Sequence, residues 1–436
     1  MLLRVIFENL LSFREPVQFD MFPNPKRSIH EGHIYNNDVP VLKMAAVYGA
    51  NGSGKSNLVK GLDFIHDFVS SNDFFKDNDI SSYIHKGNPD SQSKHLTAII
   101  EFESESKYFI YSFTLSSERV ISEALYHSGL GQNDNILIFK RELDTINVAL
   151  PIDVKVKEAI DKLLVKNPTV SLMQLNEQFP IVQDENMQIA TKWLQNSLVI
   201  VPFNAVAIKL IDQMDNNPRL LEFTKEMMSK IGLGVTDINI KEELFENWIK
   251  SKSHQLFSKI SSELEDDKVL GVTKDNRQMF IAVKDNEQTI VKEFVFKHIG
   301  SKGSLFEMDI NGESDGTVRL LNLIPALYGA IELGHTIIVD EIDHSIHPIL
   351  IFALIKFFAD KSTKGQIIFT THETCLLNQK VLLRADEVWF AEKIEGATKL
   401  YSLNDFKEHN TISVENGYIN GRYGAIPYIG DIEWIQ

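Results

Sequence analysis

Gly49 to Ser56 read G-A-N-G-S-G-K-S, three glycines followed by a lysine and a hydroxyl, and that spacing suits the holding of a phosphate chain. Gly49, Gly52 and Gly54 permit a tight turn, so the backbone N–H groups of Asn51, Gly52, Ser53, Gly54 and Lys55 can converge on phosphate oxygens beside a helix N-terminus. Lys55 is expected on the β- and γ-phosphates and the Ser56 hydroxyl on magnesium, with Asn57 completing the expected nucleotide-binding set. An unrelated glycine-rich turn would match the same letters. Here, however, an apolar run from Met44 to Tyr48 precedes the loop and an amphipathic stretch from Ser56 to Phe68 follows it, which supplies the strand and helix that the chemistry needs.

Thr336 to Asp343 read T-I-I-V-D-E-I-D, an apolar strand that ends in carboxylates. Asp340 is the expected magnesium ligand, and Glu341 is placed to orient and partly deprotonate an attacking water. Acids at a strand end are often only a solvated turn; their position downstream of a phosphate loop favours the chemical reading. Ile367 to His372, I-I-F-T-T-H, is a second apolar strand that delivers His372, expected at the γ-phosphate and the attacking water. Glu313 to Thr317, E-S-D-G-T, opens a helix with Ser314 as a cap and with Asp315 and Gly316 next in line. Alone that segment is only a helix start, though such an end can bind phosphate.

These groups need a scaffold. Strands are expected at Arg4 to Leu10 and Val17 to Asp20, flanking the loop strand, with Lys26 to Val39 as loop. Leu96 to Glu103, Lys107 to Leu115 and Val120 to Tyr126 alternate as antiparallel strands. Helical spacing marks Ile152 to Val165, Glu185 to Ser197, Pro218 to Ile231, Glu242 to Ile249 and Leu256 to Leu264. None sustains the three or four heptads, roughly, of a long coiled coil. Strands return at Met279 to Lys284 and Ile290 to Phe296, followed by helix Thr317 to Glu332, strand Thr336 to Val339, helix Pro348 to Ala359 and strand Gln366 to Phe369, the alternation of a mainly parallel sheet. The chain reads as α/β in three parts: 1–148, an N-terminal lobe with an antiparallel β subregion; 149–275, a helical insertion for a lid or partner; 276–436, a C-terminal lobe. The tail from Gly417 to Gly430 carries too many turn formers for a helix and too many aromatics for disorder.

Composition narrows the class. Hydrophobic residues make up 43% and no apolar run reaches the roughly 18 to 20 residues of a membrane span, so no membrane role is expected. The N-terminus has no signal-peptide pattern, and a cytoplasmic protein is expected. One cysteine, Cys375, excludes an intrachain disulfide, and no basic neighbour in the sequence marks it as a nucleophile. A net charge of −16 opposes DNA unless cations gather locally; Lys250 to Lys259 is the densest basic stretch and reads more simply as a solvated helix face. His344 and His347, near Asp340 and Asp343, have metal-ligand spacing, but a subunit contact explains them with fewer assumptions.

Taken together the motifs resemble the ABC-type ATPase heads of the SMC, RecF and OLD-like group. Gly49 to Ser56 corresponds to Walker A, Glu313 to Thr317 to the signature motif, Val339 to Glu341 to Walker B, and His372 to the switch histidine. The resemblance implies a P-loop NTPase fold, ATP and Mg2+ as ligands, and two heads that sandwich ATP, with Ser314 of one finishing the γ-phosphate site of the other. Departures are Asp315 where the common signature has glycine, which implies slow or conditional hydrolysis, and His347-Pro348 in the D-loop; Gln92 is a candidate for the missing Q-loop glutamine.

More narrowly, S-D-G-T, the absent coiled coil and G-R-Y-G-A-I-P at Gly421 to Pro427 resemble the AAA-like ATPases of abortive-infection systems; the ATPase subunits of PARIS phage-defence systems are comparable. That resemblance implies self-association as a homodimer or higher oligomer, an effector partner, often a nuclease from a neighbouring gene, and a phage protein as trigger. A RecF-type repair ATPase that binds duplex DNA is the rival expectation, and a transporter subunit the third.

Overall fold

The structure, a computed structural model, describes residues 1–87, 95–149, 153–178, 184–205, 210–249, 269–274, 277–285, 288–406 and 413–427. Gln92, the Lys250 to Lys259 stretch and the helix expected at Leu256 to Leu264 lie outside the described residues. Two compact units emerge. The first joins Met1–Ile200, Ala330–Ile342 and Phe352–Gln436; the second joins Val201–Gly329 and Asp343–Ile351.

The first unit holds two large sheets and a two-stranded pair, Ile34–Asn36 with Pro40–Leu42, whose first strand lies where loop was expected. In the larger, seven strands run in the order Thr145–Val148, Ile136–Glu142, Val120–His127, Lys107–Leu115, Leu96–Ser104, Leu2–Glu8 and Val17–Asp20, every neighbour antiparallel. Alternation explains it: Phe109, Tyr111, Phe113 and Leu115 are buried while the residues between them are not. The second sheet runs Leu198–Val201, Thr336–Val339, Gln366–Thr370, Met44–Tyr48, Val388–Ile394 and Ala397–Ser402. Its central pairings are parallel, and Thr336–Val339, Gln366–Thr370 and Met44–Tyr48 are buried at every residue, as strands covered on both faces must be.

One expectation is corrected here. Leu2–Glu8 and Val17–Asp20 do not flank Met44–Tyr48, because their one-faced alternation suits the antiparallel sheet. The neighbours of the loop strand are Gln366–Thr370 and Val388–Ile394, which bring apolar side chains to both faces. The helix after the glycine loop, Lys55–Ser70, joins the two sheets. Gly61 lets the Phe7 ring approach to where a Cβ would lie 2.6 Å from it, and Phe64 and Phe68 meet Phe113 at centroid distances of 6.1 and 4.5 Å. Gln366, fully buried, accepts from Leu2 N at 2.6 Å and donates to Leu2 O and Leu42 O, which ties the sheets from the other end.

The tail is turn-rich as expected over Asn420 to Pro427, and only its first three residues, Gly417 to Ile419, are helical. Ser413 caps a six-residue helix, Val414–Ile419, before the turns that Gly421 and Gly424 make at positive φ. Tyr418 and Tyr423 stack on Phe390 with centroids 5.5 and 5.7 Å away, so the tail is packed against the sheet by its aromatic rings.

In the second unit, Val235–Leu244, Gln288–Ile299, Arg277–Asp285 and Val269–Lys274 form an antiparallel sheet, and Leu305–Met308 pairs with the end of Gln288–Ile299. The helix expected from Glu242 begins only at Phe245 and ends at Trp248. Glu242 to Leu244 instead finish a strand paired along Gln288–Ile299, and cross-strand bonding outweighs the helical spacing there. Helices Pro218–Lys230 and Asp315–Tyr328 pack together, with Phe223 and Tyr328 rings 5.5 Å apart. Among the described residues the longest α-helix is Lys55–Ser70, and no helix is long and apolar enough to cross a membrane.

Candidate functional site

The glycine loop leaves the buried strand Met44–Tyr48 and enters helix Lys55–Ser70, so its amides face out of a helix N-terminus. Gly52 and Gly54 sit at φ of 76° and 109°, a region costly for any side chain. At Gly49 a Cβ would overlap the Ala391 carbonyl. The loop is pinned from outside by Thr398, whose Oγ1 donates to Ser53 O at 2.7 Å and lies 2.7 Å from Ser12 Oγ; Ser12 Oγ in turn accepts from Asn57 Nδ2 at 2.7 Å. Asn57 thus braces the loop through Ser12. Lys55 is only 5% exposed, and its ammonium donates to Gly49 O at 2.8 Å.

Across the sheet, the strand Thr336–Val339 delivers Asp340 to the same place. Ser56 Oγ donates to Asp340 Oδ1 at 3.1 Å, although 284 residues separate them in the chain. Thr370, the last residue of Gln366–Thr370, donates from Oγ1 to the same Asp340 oxygen at 2.6 Å and accepts the N–H of Glu341 at 2.7 Å. Glu341 is held in the left-handed region at φ 46°, where a residue with a Cβ is strained. Two hard oxygen donors side by side, next to converging amides and a lysine, fit a magnesium–triphosphate ligand. His372 follows two residues after Thr370 and is exposed, while Thr371 N bonds to Val47 O on the glycine-loop strand.

The second unit carries the segment expected to act as signature. Ser314 caps helix Asp315–Tyr328, its oxygen accepting from Thr317 N at 3.1 Å, and its side chain is exposed. Gly316 is approached by the carbonyl of Ser345, which a Cβ would meet at 2.8 Å. In the same unit His344 lies edge-on to Phe203, and His347 Nδ1 accepts from Ile349 N. Among the described residues the only group of three or more acidic, histidine or cysteine ligand atoms close enough for a metal is Asp63, His66 and Asp67.

Cys375 supports no nucleophilic role: burial first, then Glu373 and Glu415, push its thiol up to about 11. Nearby, burial holds the Tyr418 phenol up at about 12, and its ring lies edge-on to Tyr48, the residue before the phosphate loop, with centroids 5.6 Å apart. Sequence reading missed Thr370, Thr398, Ser12 and Tyr418. Only Thr370 carried a signal, as the hydroxyl that ends a buried strand beside the acidic one.

Fold and site together define a P-loop ATPase fold of the ABC type. Residues 44–378 match the family described as "AAA domain, putative AbiEii toxin, Type IV TA system", and the chain belongs to it. No curated protein matches the chain. Among solved structures, it is similar to an SMC head bound to the C-winged helix domain of ScpA, at 13% identity and TM-score 0.46, over 92% of this chain and 97% of that one. The SMC head domain of Thermotoga maritima gives 13% identity, TM-score 0.40 and coverage of 92% and 98%. The SMC head of Pyrococcus furiosus, with an extended coiled coil and the C-terminal domain of ScpA, gives 13%, 0.40 and coverage of 97% and 98%.

Proposed function

We propose that this chain binds and hydrolyses ATP, that two copies close around the nucleotide, and that the closed and open states govern a partner effector, a nuclease, in anti-phage defence. The observation that carries the reading is the meeting of Ser56 Oγ and Asp340 Oδ1, which brings the phosphate loop and the acidic strand to one point. The family's description, which speaks of a putative toxin and a toxin–antitoxin system, supports a role within a paired system.

In this reading the loop amides and Lys55 cradle the phosphates, and Ser56 with Asp340 would hold the metal. Magnesium, if held there by Ser56 and Asp340, would supply charge neutralisation at the phosphates. Glu341 accepts a proton from the attacking water as it adds to the γ-phosphorus, and the ADP oxygen leaves in line. Thr370 fixes where the Glu341 backbone points, and His372 steadies the γ-phosphate. Ser314 of the partner subunit finishes the site, so ATP favours the paired state and hydrolysis releases it.

Steady-state phosphate release from the purified chain, compared with Lys55→Ala, tests catalysis. Co-purification with the product of the adjacent gene tests the regulatory role, and a DNA-stimulated rate with steep salt dependence would support repair instead. Absence of ATP-dependent phosphate release that Lys55→Ala abolishes contradicts the enzymatic part.

A further inference from the structure

Arg277, the first residue of strand Arg277–Asp285, reaches the segment that leads into helix Asp315–Tyr328. Its Nη1 donates to Ile310 O at 2.6 Å and to Glu313 O at 2.8 Å, while Nη2 donates to Asp315 Oδ1 at 2.7 Å. Glu313 is gripped a second time, its buried carboxylate 2.6 Å from His298 Nε2 on strand Gln288–Ile299. Two neighbouring strands of one sheet therefore fix the loop that presents Ser314.

An ordinary surface ion pair contributes little. This one differs because the Arg277 side chain is 15% exposed and its fork is shared between a carboxylate and two carbonyls, which fixes geometry as well as charge. Asp315 is 83% exposed at the start of the helix. A carboxylate there suits the positive end of the helix but would repel a triphosphate brought to the same end.

We infer that Arg277 is a positioning residue for nucleotide-dependent pairing: it sets the loop that displays Ser314 and neutralises Asp315, so that this acid is tolerated beside the triphosphate held by a second copy of the chain. The inference rests on the proposed pairing through Ser314.

The test uses Glu341→Gln full-length protein, in which ATP-driven assembly is read by sedimentation and nucleotide affinity by a fluorescent ATP analogue. Adding Arg277→Ala is expected to weaken assembly about tenfold or more while leaving the affinity of the single copy for nucleotide unchanged. Adding Asp315→Asn to Arg277→Ala is expected to recover about threefold or more, because the uncompensated charge is gone. Arg277→Lys, which keeps the charge without the fork, is expected to lose less than Arg277→Ala and serves if the alanine variant fails to fold. Assembly indifferent to Arg277→Ala and Arg277→Lys, or no recovery with Asp315→Asn, overturns the inference while the pairing stands. Failure of Glu341→Gln alone to assemble overturns the pairing, and the inference with it.

Discussion

Thr370 Oγ1 donates to Asp340 Oδ1 at 2.6 Å and accepts the Glu341 N–H at 2.7 Å, so one hydroxyl on the neighbouring strand orients both acids of the site. A left-handed Glu341 costs about 1–3 kcal/mol, and the Thr370 bond is part of what holds it there.

Thr370→Val keeps the shape and removes the bond. It leaves the buried Asp340 oxygen and the Glu341 N–H without this partner, a loss of about 1–3 kcal/mol. The expected result is a kcat about 10- to 100-fold lower with a much smaller change in nucleotide affinity, measured by phosphate release and equilibrium binding. An unchanged kcat would show that Thr370 orients nothing that matters.

At the glycine loop, Gly49→Ala would set a Cβ against the Ala391 carbonyl, which is backbone and cannot swing aside. Overpacking of that kind costs about 1–3 kcal/mol, so a lower Tm and weaker ATP binding are expected together. Thr398→Val should weaken ATP binding with a smaller loss of Tm, because it frees Ser53 O without creating a clash.

Gly316→Ala tests the second unit. Its Cβ would meet Ser345 O at 2.8 Å, so either the helix start or the segment around Ser345 must shift. ATP-dependent assembly is expected to weaken while the nucleotide affinity of the isolated copy is unchanged, as read by sedimentation and by binding.

Cys375 offers a prediction about pH. Its thiol is raised to about 11, so the thiolate fraction at pH 8 is about one in a thousand and grows tenfold for each unit toward pH 11. Because this is the chain's one cysteine, modification by a thiol reagent can be followed directly and should be far slower at pH 8 than for a free thiol. Rapid labelling of the folded protein at pH 8 would contradict the burial and acidic surroundings assigned to it.

What the sequence made legible was local. The glycine spacing, the apolar strand ending in Asp340 and Glu341, and the two-faced apolar run before Thr370 each carry their own pattern, and strand Thr336–Val339 and helix Pro348–Asp360 fall within a residue of expectation. The hidden part was pairing over long separations. Nothing near Leu2 states that it will be bridged by Gln366, and nothing near Arg277 states that it will meet Asp315, because neither partner is set by periodicity. Leu2–Glu8 alternates as a strand of an antiparallel sheet does, but nothing in it names Leu96–Ser104 as its neighbour, and nothing near Tyr418 names Phe390.

The central claim is that each copy finishes the other's nucleotide site, and mixing two inactive variants tests it most directly. Lys55→Ala disables the phosphate loop and Ser314→Arg blocks the surface offered to a partner. Each alone should be inactive, and an equal mixture should recover phosphate release to about a quarter of the wild-type rate if copies pair at random, since half the pairs then contain one intact composite site of two. Full activity of Ser314→Arg alone, or no recovery on mixing, would contradict the account.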